Sequence, residues 1–147
     1  LNAVLELIYF FTGEGDADET LYNNLKALVE YITQEENKIQ MIEQYILFEF
    51  NALSLFGFGI DLEECAISGQ KEDLFFISPV TGRCASFASA KDFANKLFTI
   101  PKIYGNAKLE INKEEDLKNA FNINSHFLKQ IPNFEKLTFR PGVLNYI

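Results

Sequence analysis

The chain has 147 residues, 48% of them hydrophobic and 23% charged, and a formal net charge of −8 at pH 7. That length and apolar content suit one compact domain and exclude a disordered chain, and no apolar run approaches the roughly 18–20 residues of a membrane span, so a soluble protein is expected. Two cysteines exclude a disulfide framework and a four-thiolate zinc site and fit a reducing compartment, while the acidity argues against strong nucleic-acid binding by this chain alone.

Fifteen Phe and six Tyr without a Trp point to a Phe-rich core. The chain opens at Leu1 with neither Met nor a signal-peptide pattern and reads as a piece beginning mid-protein. A first helix is predicted over Leu1 to Phe11, with Leu1, Val4, Leu5, Ile8 and Phe11 near the helical period, ended by Gly13 and Gly15. Asp16 with Glu19 has capping-box chemistry and opens a second helix carrying Leu21, Leu25, Leu28 and Ile32. Thr33 with Glu36 repeats the signal before a longer helix with Ile39, Ile42, Ile46, Phe50, Leu53 and Phe56, which Gly57-Phe-Gly59 stops. Three amphipathic helices on short connections make a helical bundle.

From about residue 60 to 89 the pattern changes. Gly69, Asp73, Pro79 and Gly82 are turn residues around the strand-like run Leu74-Phe-Phe-Ile77, which predicts a small β-containing knuckle inserted into a mainly α domain. Ser89 is expected to cap a short helix with Phe93, Leu97 and Phe98, closed by Pro101. Asn112 with Glu115 opens a further helix burying Leu117, Ala120, Phe121, Phe127, Leu128 and Ile131; Pro132 breaks it, and a short last helix follows Pro141.

Few residues offer chemistry. His126 is the only histidine, and a thiol-dependent enzyme would have to pair it with Cys65 or Cys84. The acidic stretch Glu14 to Glu19 lacks the alternating oxygen ligands and distal bidentate Glu of a calcium loop, and reads as a solvated helix start. Cys65-Ala-Ile-Ser68 has the spacing of half a zinc knuckle with Ser for the second Cys, and Ser86-Phe-Ala-Ser89 is a matching pair with no thiol. A neutral hydroxyl is a poor zinc ligand, so no metal and no cofactor are expected at Cys65, Ser68, Ser86 and Ser89. Charge is uneven: residues 1–64 hold 13 acidic side chains against two lysines, whereas residues 65–147 hold 11 basic against 8 acidic. An anionic partner should prefer the second half.

The segment Leu47-Phe-Glu-Phe-Asn-Ala-Leu-Ser-Leu-Phe-Gly-Phe-Gly-Ile-Asp-Leu-Glu-Glu-Cys-Ala-Ile-Ser-Gly69, with Ile77-Ser-Pro-Val-Thr-Gly82 and Ser125-His-Phe-Leu128, resembles the RecO family of DNA-repair proteins. The resemblance implies that residues 1–147 are the family's C-terminal helical domain with a degenerate zinc-finger-like knuckle, and that an N-terminal OB-fold domain lies outside this chain. It implies a non-catalytic recombination mediator of the RecF pathway, cytoplasmic in a bacterium and nucleoid-associated during repair. Such a protein binds the acidic tail of single-strand-binding protein (SSB), works with RecR, contacts single-stranded DNA mainly through the N-terminal domain, promotes annealing and helps RecA load. An acidic tail with a bulky apolar end needs an apolar slot rimmed by cations, for which Arg83, Lys91, Lys96, Lys129 and Arg140 are the candidates. A helical interaction domain with another partner stays open beside it.

Overall fold

The computed structural model describes residues 1–13, 18–105 and 112–147. Its long helices are α1 (Asn2–Thr12), α2 (Glu19–Gln34), α3 (Lys38–Leu55) and α5 (Lys113–Leu128), and the short α4 (Phe87–Ala90) sits in the knuckle. The strands are β1 (Leu74–Ile77), β2 (Cys84–Ser86) and β3 (Phe98–Thr99), and 3-10 turns cover Lys91–Lys96, Lys102–Tyr104, Phe134–Lys136 and Arg140–Tyr146. The mainly α reading with a small β part is therefore correct, and no described helix is long and apolar enough to cross a membrane.

Helix boundaries follow local hydrogen-bond chemistry. Asp18 caps α2, its carboxylate accepting from Thr20 N–H at 2.7 Å and Leu21 N–H at 3.2 Å. Asp16, the expected cap, lies outside the described residues. The expected Thr33 cap is corrected: the Thr33 hydroxyl turns back to the Glu30 carbonyl at 2.9 Å, α2 runs on to Gln34, and Asn37 caps α3 through Ile39 N–H at 3.0 Å. Asn112 accepts from Glu115 N–H at 2.8 Å, as the capping box predicts. The short helix after the knuckle is also corrected. Ser86, not Ser89, is its cap, the helix lasts four residues, and Phe98 is in β3 rather than on a helix face.

The core gathers apolar stripes from α1, α2, α3 and α5. Leu7, Leu21, Ile46, Leu53, Leu117, Ile123 and Leu128 are among its fully buried side chains. Full burial of a Leu or Ile side chain contributes about 1.5–3 kcal/mol. On α1 the buried stripe is Val4, Leu7 and Phe11, whereas Leu1 and Leu5 are exposed. The period fits two neighbouring stripes, and the one bearing Leu7 faces the core. Lys113 ties the start of α5 to Glu43 on α3 at 2.6 Å.

The knuckle is a three-stranded antiparallel sheet in the order β2-β1-β3, with Ile77 opposite Cys84 on one side and Phe98 on the other. It thus reaches Thr99, ten residues beyond the predicted end. Its own small core is Cys65, Phe76, Ala85 and Ala90, while Ile77 and Cys84 belong to the main core and join the two parts. Gly82, at φ +71°, lies where a Cβ would stand 3.0 Å from the Gly59 carbonyl oxygen and 3.6 Å from the Phe127 ring. Only glycine meets both demands, so this residue sets how closely the knuckle seats on the bundle.

Candidate knuckle and interaction surfaces

Of the four knuckle positions singled out in the sequence, Ser68 and Ser86 meet at the Cys65 sulfur and Ser89 joins them through the Ser86 hydroxyl. Cys65 is 1% exposed, and its Sγ accepts from Ser68 N–H at 3.4 Å and Ser86 N–H at 3.3 Å. The Ser86 hydroxyl lies 3.7 Å from the sulfur and accepts from Ser89 N–H at 3.3 Å. Burial pushes the Cys65 thiol up, but hydrogen bonds from Ser68, Ser86 and Ile67 outweigh it and lower it to about 5. The donors around the sulfur thus favour a thiolate, with no second thiolate beside it. Among the described residues no three His, Cys, Asp or Glu side chains gather as a metal site.

Cys84 has different company. Its thiol donates to the Glu64 carbonyl at 3.1 Å, and burial together with Asp61 raises it. His126 Nε2 lies 2.6 Å from the Pro79 carbonyl oxygen, which can only accept, so Nε2 carries the proton. The ring packs edge-on against Phe98 and Phe127. Each thiol and the imidazole therefore has its own structural partner, and among the described residues no hydrogen bond joins a sulfur to His126. That arrangement lacks the nucleophile–base contact a thiol enzyme needs.

The expected rim cations divide. Arg83, Lys91, Lys96 and Lys129 are exposed, Lys91 and Lys96 together on the 3-10 turn that extends α4. Arg140 is corrected: it is 2% exposed and forms a bidentate pair with the fully buried Glu49, Nε to Oε1 at 2.6 Å and Nη2 to Oε2 at 2.8 Å. Its Nη1 donates to the Ser125 hydroxyl at 2.8 Å, and its guanidinium sits 3.9 Å from the Phe121 ring centroid. A charge held this way inside the bundle cannot meet a partner at the surface.

The polar residues that organise this interior carry no sequence signal. Glu49 sits inside the apolar run Leu47 to Phe50, and nothing in that run distinguishes a buried carboxylate from a solvated one. Asn124 donates to the Ile46 carbonyl at 2.9 Å and accepts from Tyr104 at 2.5 Å. Asp116 takes the Lys102 and Ile103 N–H groups at 2.6 and 2.9 Å, which fastens the chain leaving the knuckle onto α5. Glu6 on α1 holds the C-terminal segment, accepting from Thr138 N–H at 2.8 Å, the Thr138 hydroxyl at 2.6 Å and Phe139 N–H at 2.7 Å.

Two open grooves flank that C-terminal segment. One, of about 570 Å³, is lined by Ile32, Met41, Ile42, Val143 and Tyr146, with Glu36 and with Lys38, whose ammonium lies over the Tyr146 ring. The other, of about 600 Å³, is lined by Leu5, Tyr9, Phe10, Leu137 and Phe139, with Lys136 and Glu6 as its charged residues. Arg83, Lys91, Lys96 and Lys129 line neither. Each groove carries a lysine that the sequence did not single out, together with a glutamate.

The family model described as "Recombination protein O C terminal" matches residues 1–131. "DNA repair protein RecO" of Brucella melitensis biotype 1 is 32% identical over 115 residues, covering 78% of this chain and 45% of that protein. The proteins of the same name from Agrobacterium fabrum and Cereibacter sphaeroides are 30% and 31% identical, each over 87% of this chain and over 48% and 51% of their own lengths. The chain spans about half the length of the curated relatives it matches. No solved structure matches it.

Proposed function

The chain belongs to the RecO family of DNA-repair proteins, and on that premise we propose that the protein is a non-catalytic recombination mediator of the RecF pathway. In this reading it binds the C-terminal tail of SSB, acts with RecR, promotes annealing of single strands and helps RecA load. It works in the bacterial cytoplasm, at the nucleoid during repair, and meets single-stranded DNA mainly through an N-terminal OB-fold domain. The observation that carries the reading is the family match over residues 1–131. The grooves beside the C-terminal segment support it, because a tail of carboxylates ending in a bulky apolar residue needs an apolar slot with a cation at its edge. Lys136 in the second groove supplies that charge, beside a Glu6 carboxylate already held by Thr138 and Phe139, and the exposed Arg83, Lys91, Lys96 and Lys129 are offered as further contacts for anionic partners.

A fluorescent peptide ending in an acidic-apolar tail tests the tail site. Binding at low salt, weakened by Lys136→Glu and by added salt, is the expected result. A peptide that stays free at low salt removes the tail site from this half of the molecule.

A further inference from the structure

We propose that the ledge formed by Phe87–Lys96 is a base-stacking surface for single-stranded nucleic acid, so that this half of the molecule touches the strand itself. The proposal rests on the repair reading above and deepens it by adding a contact surface.

Phe87 and Phe93 are 49% and 56% exposed, and both belong to one ten-residue segment. Single exposed apolar residues are ordinary on protein surfaces; here two phenyl side chains six positions apart are both about half exposed, and cations stand between and after them in the chain. The Phe87 ring is held from beneath, near-parallel to Phe76 at 6.0 Å between centroids and edge-on to Phe75 at 5.2 Å. This leaves a rigid aromatic plate at the surface. Lys91–Lys96 is a 3-10 turn with no buried residue, so core packing does not require an aromatic side chain at position 93.

Cations alternate with the rings. Lys91 precedes Phe93 by two residues and Lys96 follows it by three, with Asp92 the one acidic side chain in the segment. Neither lysine has an ion-pair partner among the described residues, where the paired cations are Lys26, Lys113 and Arg140. Exposed rings for base faces, interleaved with unpaired ammonium groups for phosphates, are the elements of sequence-tolerant single-strand binding. An acidic-apolar peptide fits this surface less well, because its bulky end needs a concave slot and both grooves are lined by other residues.

The protein contains no tryptophan, so Phe93→Trp places a single indole on the ledge without removing the aromatic face. A labelled oligothymidylate is expected to bind the 147-residue chain at low salt and to quench that indole. Phe93→Ala is expected to weaken binding roughly tenfold, whereas Phe93→Trp preserves it. Lys91→Glu with Lys96→Glu is expected to weaken binding and to flatten its dependence on salt. Because Phe93 is more than half exposed on a turn with no buried residue, its substitution is expected to leave folding nearly unchanged; Phe87→Ala, which removes the plate over Phe76, needs a parallel measurement of stability. No binding of oligothymidylate, unchanged affinity in Phe93→Ala, or a silent indole while the oligonucleotide binds would each overturn the proposal. Quenching by the acidic-apolar peptide in place of the oligonucleotide would make the ledge a peptide site and overturn it too. Peptide binding that responds to Lys136→Glu but leaves the indole silent supports the tail site alone, so the two ideas fail separately.

Discussion

The helical bundle and the knuckle are held together in different ways. The bundle buries long side chains from four helices around one ionic knot, Glu49 with Arg140. The knuckle buries mostly small ones, Cys65, Ala85, Ser86 and Ala90 around the single ring of Phe76, and depends on backbone donors aimed at single atoms, as around the Cys65 sulfur. Area burial is non-directional, so α1 can present Leu7 rather than Leu5 to the core and still pack. Hydrogen bonds to one sulfur or one carbonyl allow no such drift. The Glu49–Arg140 pair is where the bundle adopts the knuckle's directional logic.

That contrast can be broken most forcefully at Arg140. Arg140→Ala strands the Glu49 carboxylate among apolar groups and is expected to lower unfolding free energy by about 3–5 kcal/mol in a urea titration. The double variant Glu49→Leu, Arg140→Met is expected to recover most of that loss. A single variant within about 0.5 kcal/mol of wild type, the range of ordinary surface substitutions, would show that the pair is not structural.

A smaller and more local effect is expected at the seam between the two regions. Gly82→Ala forces a side chain onto a backbone at φ +71° and against the Gly59 carbonyl oxygen, at a cost of roughly 1–3 kcal/mol. Hydrogen exchange should then speed up at knuckle amides such as Ala66 and Cys84 while α3 and α5 keep their protection. Equal loss in both regions would mean that they unfold as one unit.

The smallest effect is on acid stability. Partial burial pushes the Glu6 carboxyl up, but the bonds from Thr138 and Phe139 outweigh it and hold it below the ordinary 4.5. A depressed carboxyl contributes stability that is present above the unfolded value and lost as pH falls through the folded one. Glu6→Gln should therefore flatten the acid limb of the stability curve below about pH 4.5 and loosen the C-terminal segment. An unchanged acid limb would exclude Glu6 as the tether.

The bundle was legible because burial repeats with the helical turn. Leu21, Leu25 and Leu28 announce α2, and Asn112 with Glu115 announces the start of α5. The strand Leu74–Ile77 could be read from its apolar run, but its partner β3 could not, since Phe98 and Thr99 look like the end of a helix until they pair with Ile77 and Phe76. Among the site residues, the convergence of Cys65, Ser68, Ser86 and Ser89 follows from their paired spacing. Arg140 does not announce its burial, because its partner Glu49 lies 91 positions away in the chain. Long-range ionic contacts leave no local period to detect.

His126 has one last consequence. It is the sole imidazole in the chain, and it bridges α5 to the Pro79 turn by a bond whose acceptor is a backbone carbonyl. The protein therefore carries a built-in spectroscopic gauge: one histidine ring gives one set of proton resonances. Their position reads out, with no label attached, whether the knuckle is seated or lifted from the bundle while a partner binds.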